Sequence, residues 1–596
     1  TKTLDWNPPF ARWFVGGKIN ASHNALDVHQ GPRASKPAIL WEGEDGDSRV
    51  LTYGDMWREV QRFANVLRSL GLTQGDRATI YLPMVPELPV AMLACSRIGV
   101  IHTVVFSGFS AASLRDRIDD SKSRVVITAD GGYRRGSVVR LKEAVDEAVD
   151  SLDFVEHVVV LERAGNEIRM NARDRLWSRL MGDASGECPA EPVDSDHPLY
   201  ILYTSGTTGK PKGVLHGTGG YLVHLHSTFR WAFDIRDSDV YFCTADIGWV
   251  TGHSYVVYAP LLCGATQVMY EGAPDFPDAS RMWDIIQKYG VTIFYTTPTA
   301  LRMLMRFGDD MPNSFDLSTI RLLGTVGEPI NPEVWKWYYK TIGKERCPIV
   351  DTWWQTETGG MLISPLPGIE TVPLKPGSGT RPIPGLDMAV VDESGRDVGP
   401  GAKGYLVIRN QWPGMLLGLW GDDEKYRDVY WSKYEGCYYP GDYAVRDQDG
   451  YLWLLGRADD VLKVAGHRIG TAELESSIVA HGDVAESAVC GIPDEVRGEA
   501  IVAFAVLREG ADRDPDTLRR EIASGIRNGV GPIATPEQIY FVSRLPKTRS
   551  GKIMRRLLKA IASGDEIGDV STLEDGAAVG EVRSAFDELQ RSVNGG

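Results

Sequence analysis

The chain of 596 residues exceeds what one hydrophobic core supports, so at least two folding units are expected. With 80 Asp+Glu against 64 Lys+Arg, a net charge of −16 and 43% hydrophobic residues, it is a globular composition that excludes nucleic acid as the main partner, which demands a broad positive face. Seven scattered cysteines without a C-x-x-C pair, no apolar run of ~18 residues and no basic leader argue against a disulfide framework, a zinc knuckle, a membrane span or a secretion signal, and lead to a cytoplasmic expectation.

Residues 52–70 (TYGDMWREVQRFANVLRSL) predict a helix, with Met56, Val60, Phe63 and Leu67 on one face and Gly71 as its stop. A strand over 77–83, a helix over 88–98 and strands over 100–106, 123–129, 157–162 and 198–206 follow. Helix and short apolar strand alternate, the pattern of α/β layers on parallel sheet, whose ligands bind outside the carboxyl ends of strands. From about residue 375 the texture turns to Pro and Gly (KPGSGTRPIPG), then to short strands (MAVVDESG, KGYLVIRN, GYLWLLGR) that predict a smaller β-rich subdomain. A boundary is placed in GRADDVLKVAGHRIG, giving a large N-terminal domain over 1–458 and a small α+β domain over 459–562. In the latter, helix 471–480, strands 485–491 and 501–507, helix 514–528 and strand 538–543 are expected, and 563–596 reads as an acidic tail.

Two strings stand out chemically. YTSGTTGKPKG (203–213) follows an apolar strand; its small residues expose backbone N–H groups and Lys210 and Lys212 add positive charge, as suits a triphosphate. It is not a Walker A loop, because Gly206 and Gly209 bracket only two residues and Pro211 follows Lys210; alone, it reads equally as a surface turn. PKTRSGKIMRR (546–556) is a basic knot in an acidic chain: a nucleic-acid patch, a solvated helix start or catalytic apparatus. Of the eleven histidines, His224 and His226 sit at i and i+2 of an expected helix and do not share a face, so ordinary packing or surface roles are expected.

The phosphate-loop string resembles that of adenylate-forming enzymes, and six further strings resemble the AMP-forming acyl-CoA synthetases that act on acetate: WNPPFARWFVGGKIN, GWVTGHSYVVY, VGEPINPEVWKWYY, DTWWQTETGG, GHRIGTAELES and PKTRSGKIMRR. The strings run in order along essentially the whole chain. The resemblance implies a ligase that joins acetate to CoA through an acyl-adenylate, with ATP and CoA as substrates and Mg²⁺ as cofactor. The closest alternative is a propionyl- or other short-chain acyl-CoA synthetase; a carrier-loading adenylation domain and a non-catalytic nucleotide binder are the more distant ones.

By the same resemblance the nucleotide is held by Thr204, Ser205, Gly206, Thr207, Thr208, Gly209 and Lys210, and its adenine is bordered by Gly327, Glu328 and Pro329 and by Asp351, Thr352, Trp353, Trp354, Gln355 and Thr356. Asp442 matches the ribose ligand, Arg457 lies on the ribose side, Arg468 reaches phosphate, and Glu357 is a carboxylate suited to Mg²⁺. Trp354 is implied as the floor of the acyl pocket, with Val250, Thr251 and Val326 as walls, whereas Trp335 and Trp337 are expected to be core. The CoA contacts fall on Arg134, Arg135, Gly136, Ser137, Thr251, Asp275, Ala465, Gly466 and Arg527. Three of these depart from the family: Ser137 replaces an arginine, leaving Arg135 as the candidate to take its place, Ala465 replaces a serine and Asp275 an asparagine.

Lys552 is the implied catalytic cation, delivered for adenylation and withdrawn for thioester formation as the C-terminal domain turns about a hinge at Asp459. Its reversible acetylation would bring in a lysine acetyltransferase and deacetylase as partners. A structural metal is implied at 479–484, through the carbonyls of Val479 and Val484 beside His481. No membrane or nucleic-acid partner is expected, and the sequence sets no oligomeric state.

Overall fold

In the computed structural model, placements are described for residues 2–204, 211–464, 467–494, 498–508, 510–511, 513–547 and 553–565, with the side chains of His467 and Arg468 outside the description. Two large sheets form the N-terminal part. The first has eight strands, and its run Asp174–Leu176, His157–Leu161, Val125–Ala129, Arg77–Tyr81, Ile101–Val104, Pro198–Thr204 is parallel throughout. Lys212–Gly217 then returns antiparallel to Pro198–Thr204, so the phosphate-loop string joins two neighbouring strands.

The second sheet has seven strands, of which Ile349–Asp351, Leu322–Thr325, Ile293–Thr296, Val240–Cys243, Thr266–Glu271 and Pro37–Gly43 are parallel and Ser48–Thr52 is antiparallel at the edge. The parallel strands are largely buried on both faces, whereas the edge strand Ser48–Thr52 is mostly exposed. The helix Tyr53–Ser69 begins where a capping box closes: Asp55 N donates to Thr52 Oγ1 (3.1 Å) and Thr52 N to Asp55 Oδ2 (2.9 Å). It buries Met56, Val60, Phe63 and Leu67, the four residues its periodicity selected, and the chain leaves it through Gly71 at φ +82°.

The β-rich unit is a four-stranded antiparallel sheet of Met388–Val391, Lys403–Ile408, Asp442–Arg446 and Leu452–Arg457. A one-turn helix, Ala458–Asp460, leads out of it into the C-terminal unit. There Val484–Asp494 and Gly498–Leu507 form a long antiparallel pair, Gln538–Phe541 adds parallel to it, and Leu462–Val464 pairs with His467–Ile469, a hairpin absent from the sequence expectation. Helices Thr471–Val479 and Pro515–Gly529 bury Leu474, Ile478, Ile522 and Ile526 in one apolar cluster; helix Arg555–Ser563 buries Leu557, Leu558 and Ile561 in another. All seven cysteines are unpaired, and among the described residues no helix is long and apolar enough to cross a membrane. The expected tail lies outside the described residues from 566 onward.

Candidate active site

Two of the expected site segments lie beyond the carboxyl ends of neighbouring strands of the second sheet, the place where open parallel sheets bind ligands. Val326, Gly327, Glu328 and Pro329 follow the strand Leu322–Thr325, and Thr352 to Glu357 follow Ile349–Asp351. Gly327 has φ +99°, a backbone geometry that favours glycine, and lets the chain turn across the strand end. Glu328 Oε1 is held by Arg302 Nη2 at 2.8 Å and also accepts from Thr299.

Asp351 Oδ1 accepts from Thr325 Oγ1 at 2.7 Å in the neighbouring strand, and burial pushes its carboxyl up to about 7 despite that bond. Thr352 Oγ1 lies 2.7 Å from Tyr295 Oη and donates to the Thr325 carbonyl (2.9 Å), while Trp353 N donates to the Ile363 carbonyl (2.9 Å). The Thr356 carbonyl takes Nε2–H of His216 at 2.7 Å; burial lowers that imidazole to about 4 and so keeps it neutral. Glu357 Oε1 accepts from Tyr430 Oη at 2.5 Å, and Tyr430 Oη in turn receives Lys212 Nζ at 3.1 Å. Glu357 therefore stands beside the chain leaving the phosphate loop, a hard oxygen ligand that fits a Mg²⁺ otherwise bound to phosphate and water.

Asp442 and Arg457 are register partners on adjacent strands. Gln355 Nε2 donates to Asp442 Oδ2 (2.6 Å) and to the Pro440 carbonyl (2.9 Å), and Arg457 Nη1 donates to the same carbonyl (2.6 Å). The Asp442 carboxylate is buried and held by Gln355 and Arg457 from two elements.

The residues expected to line the acyl pocket pack together. Trp354 is buried, edge-on to Tyr255 with ring centroids 5.1 Å apart, and it shares a core cluster with Val326 against which Val250 packs. Val250 and Thr251 open a helical turn that continues as His253–Tyr258. Trp335 is buried as expected; Trp337 is only partly so, its Nε1 donating to Asp309 Oδ1 at 2.6 Å.

Arg134 ends the strand Gly132–Arg134, and Ser137 begins its antiparallel partner Ser137–Val139. The turn between them puts Arg135 at φ +53° and Gly136 at φ +71°, and a Cβ on Gly136 would sit 2.8 Å from Phe276 Cζ, so glycine is required there. Gly136 N donates to Glu44 Oε1 (2.8 Å), and Arg135 pairs with Asp275 at 2.9 Å. Two of the positions that depart from the family pattern or stand in for it thus meet each other. Arg527 lies exposed in the last turn of Pro515–Gly529.

Asp459 is exposed in the one-turn helix between the two units. Val479 and Val484 are buried, Val484 N donates to the His481 carbonyl (3.0 Å), and His481 Nε2 lies 3.0 Å from Glu521 Oε2. The imidazole is committed to Glu521, and among the described residues no group of three or more His, Cys, Asp or Glu is set to hold a metal, so a cation there would rest on the carbonyls of Val479 and Val484. His224 is buried with Nε2 3.1 Å from the Met361 carbonyl, and His226 is exposed, in keeping with their separate faces. Thr204 closes the strand Pro198–Thr204. Ser205, Gly206, Thr207, Thr208, Gly209, Lys210, Ala465, Gly466, Lys552 and the side chain of Arg468 lie outside the described residues.

Sequence reasoning missed three groups. Arg302 braces Glu328, and Tyr430 links Glu357 to Lys212. Asp246, two residues before the GWVTG string, accepts from Gly248 N at 2.7 Å, and burial raises its carboxyl to about 6 against the nearby Arg134. Its adjacency to that string was the available signal.

The AMP-binding enzyme family matches residues 27–420, the AMP-binding enzyme C-terminal domain 473–552, and the acetyl-coenzyme A synthetase N-terminus 1–25. An acetyl-coenzyme A synthetase of Pyrobaculum arsenaticum is 57% identical over 100% of this chain and 91% of its own length. Those of Streptomyces avermitilis (55%, covering 98% and 90%) and Chlorobaculum tepidum (53%, covering 98% and 89%) are similar over the same extent. By the three family matches and these full-length relatives, the chain belongs to the AMP-binding enzyme family and, within it, to the acetyl-coenzyme A synthetases.

Proposed function

We propose that the protein converts acetate, ATP and CoA to acetyl-CoA, AMP and pyrophosphate through an enzyme-bound acetyl-adenylate. The observation that carries this reading is one run of chain, 351–357, with the nucleotide residues Asp351, Gln355 and Glu357 on it and the acyl-pocket residue Trp354 in its middle. A carboxylate and an α-phosphate bound on either side of that run are brought within reacting reach, which is the main work such a site must do.

In the first half-reaction an acetate oxygen attacks the α-phosphorus and pyrophosphate leaves. Asp442 holds the ribose, Gly327 to Pro329 and the 351–356 backbone border the adenine, and Lys552 balances the charge gathering between carboxylate and phosphate. Glu357 would hold a Mg²⁺, which when bound would supply electrostatic neutralisation of the phosphate oxygens. In the second half-reaction the CoA sulfur attacks the acyl carbon, its proton passes to solvent and AMP leaves. Arg134 and Arg135 supply cations for the CoA phosphates, and Ala465, Gly466 and Arg527 meet CoA from the C-terminal domain. The domain division at 458/459, the hinge at Asp459, a structural cation on the Val479 and Val484 carbonyls, and acetylation of Lys552 belong to the same reading.

Release of AMP from ATP and CoA with C2 to C5 acids in competition tests it. Acetate is expected to lead by the ~10–200-fold that one methylene allows. A lead by propionate selects the short-chain alternative. Lys552→Ala is expected to abolish acetate-dependent ATP–pyrophosphate exchange while leaving thioester formation from presynthesised acetyl-adenylate; equal loss of both overturns the role of Lys552.

A further inference from the structure

The helix Pro298–Met305 carries Arg302, whose Nη2 donates to Glu328 Oε1 (2.8 Å) and Thr299 Oγ1 (2.7 Å) beside the adenine segment. The same helix packs against Val484–Asp494, a strand of the C-terminal unit. Glu486 stands on that strand, 4% exposed, and accepts from Lys547 Nζ at 2.7 Å. Burial pushes the Glu486 carboxyl up, yet it lies below the usual range because Lys547 and, across the boundary, Arg302 and Arg306 outweigh burial. Burial pushes Arg302 down, and Glu328, Glu486 and Glu475 together hold it up.

Glu475, on the helix Thr471–Val479, repeats the arrangement. Its carboxylate takes Arg555 Nε (2.9 Å) and Nη2 (2.7 Å), and Arg555 feels Asp460 and Glu328 as well. Lys547 pairs with Ile553 as an antiparallel bridge, and Arg555 opens the helix Arg555–Ser563. Two carboxylates of the C-terminal unit therefore anchor Lys547 and Arg555, and the strand that bears Glu486 packs on the helix that bears Arg302, next to the Glu328 segment.

We infer that Glu486 is a positioning residue for adenylate formation, seating the C-terminal unit against Arg302 and Arg306 in the orientation that serves the first half-reaction. The inference rests on the reading given under Proposed function. Glu486 acts through its neighbours, because its side chain is taken up by Lys547. When the unit turns away, Arg302 keeps Glu328 and Glu486 keeps Lys547, so no unpaired buried charge is created and only the attraction across the boundary is lost.

The test uses the full chain with Glu486→Gln and, from the other side of the boundary, Arg306→Gln. Acetate-dependent ATP–pyrophosphate exchange is expected to fall about 10-fold in each, as for loss of one close charge pair. CoA-dependent release of acetyl-CoA from presynthesised acetyl-adenylate is expected to hold within about 2-fold. A role in folding alone would lower both half-reactions together, and that result in both variants overturns the proposal. Lys552→Ala, measured alongside, separates the two possible failures. Exchange lost there but kept in Glu486→Gln and Arg306→Gln overturns the proposal alone; exchange kept in all three overturns the reading on which it rests.

Discussion

Trp354 meets Tyr255 edge to face at 5.1 Å and is 9% exposed, so its indole is a wall and not a mobile flap. Removing it opens room for several methylenes at a cost of ~3–5 kcal/mol in stability. Trp354→Gly is expected to shift preference from acetate toward C4–C6 acids, read as kcat/KM across the series at a temperature where the variant is folded. A variant that still rejects those acids places the pocket floor elsewhere. At this scale the sequence distinguished Trp354 from Trp335 by motif alone, since both are buried tryptophans. It was silent on Arg302 and Tyr430, because a side chain that braces a ligand-binding residue from a distant helix leaves no local pattern.

The strands of the first sheet were legible because a parallel strand buried on both faces has little choice of composition, whereas those of the second sheet, which lead into 326–329 and 352–357, were not among the predicted elements. Also not legible was where hairpins fall in polar stretches. Residues 132–139 have too little apolar periodicity to announce two short strands, and the pairing of Arg135 with Asp275 spans 140 residues of chain. That ion pair belongs to the hairpin as an element, since Arg135 is displayed only because Gly136 lets the turn form against Phe276. Its carboxylate competes with any incoming phosphate for the guanidinium. Asp275→Asn is expected to lower KM for CoA about 3-fold, the scale of one part-exposed ion pair, with KM for ATP unchanged. A rise in KM for CoA would mean that Asp275 itself holds the cofactor.

For the molecule as a whole, Asp351 makes stability depend on pH. Its folded carboxyl titrates at about 7, well above the usual carboxylate range, so between about pH 4 and 7 the folded state keeps a proton that the unfolded chain has lost. Stability from this group therefore falls as pH rises through that window and the penalty is complete above it. Asp351→Asn keeps an acceptor for Thr325 without the charge, so its thermal midpoint is expected to gain on the parent protein by several degrees from pH 4.5 to 7.5, without ligands. Parallel curves for the two would assign the proton to another group.

The two apolar clusters of the C-terminal unit are packed by its own helices on the two sides of its own sheet. Lys403 of the β-rich sheet reaches Glu473 at 2.5 Å, and the helix that bears Arg302 packs on the strand that bears Glu486, so charged residues contribute to the boundary between the units. Beside the one-turn helix Val461 packs with Tyr405, Tyr439 and Tyr443, so a turn of the unit would exchange ions for water at the charged contacts while this apolar contact lies next to the hinge. Added salt should weaken the part-exposed Lys403–Glu473 contact more than the buried charges, so the turnover rate is expected to carry an ionic-strength dependence set at the joint between the units.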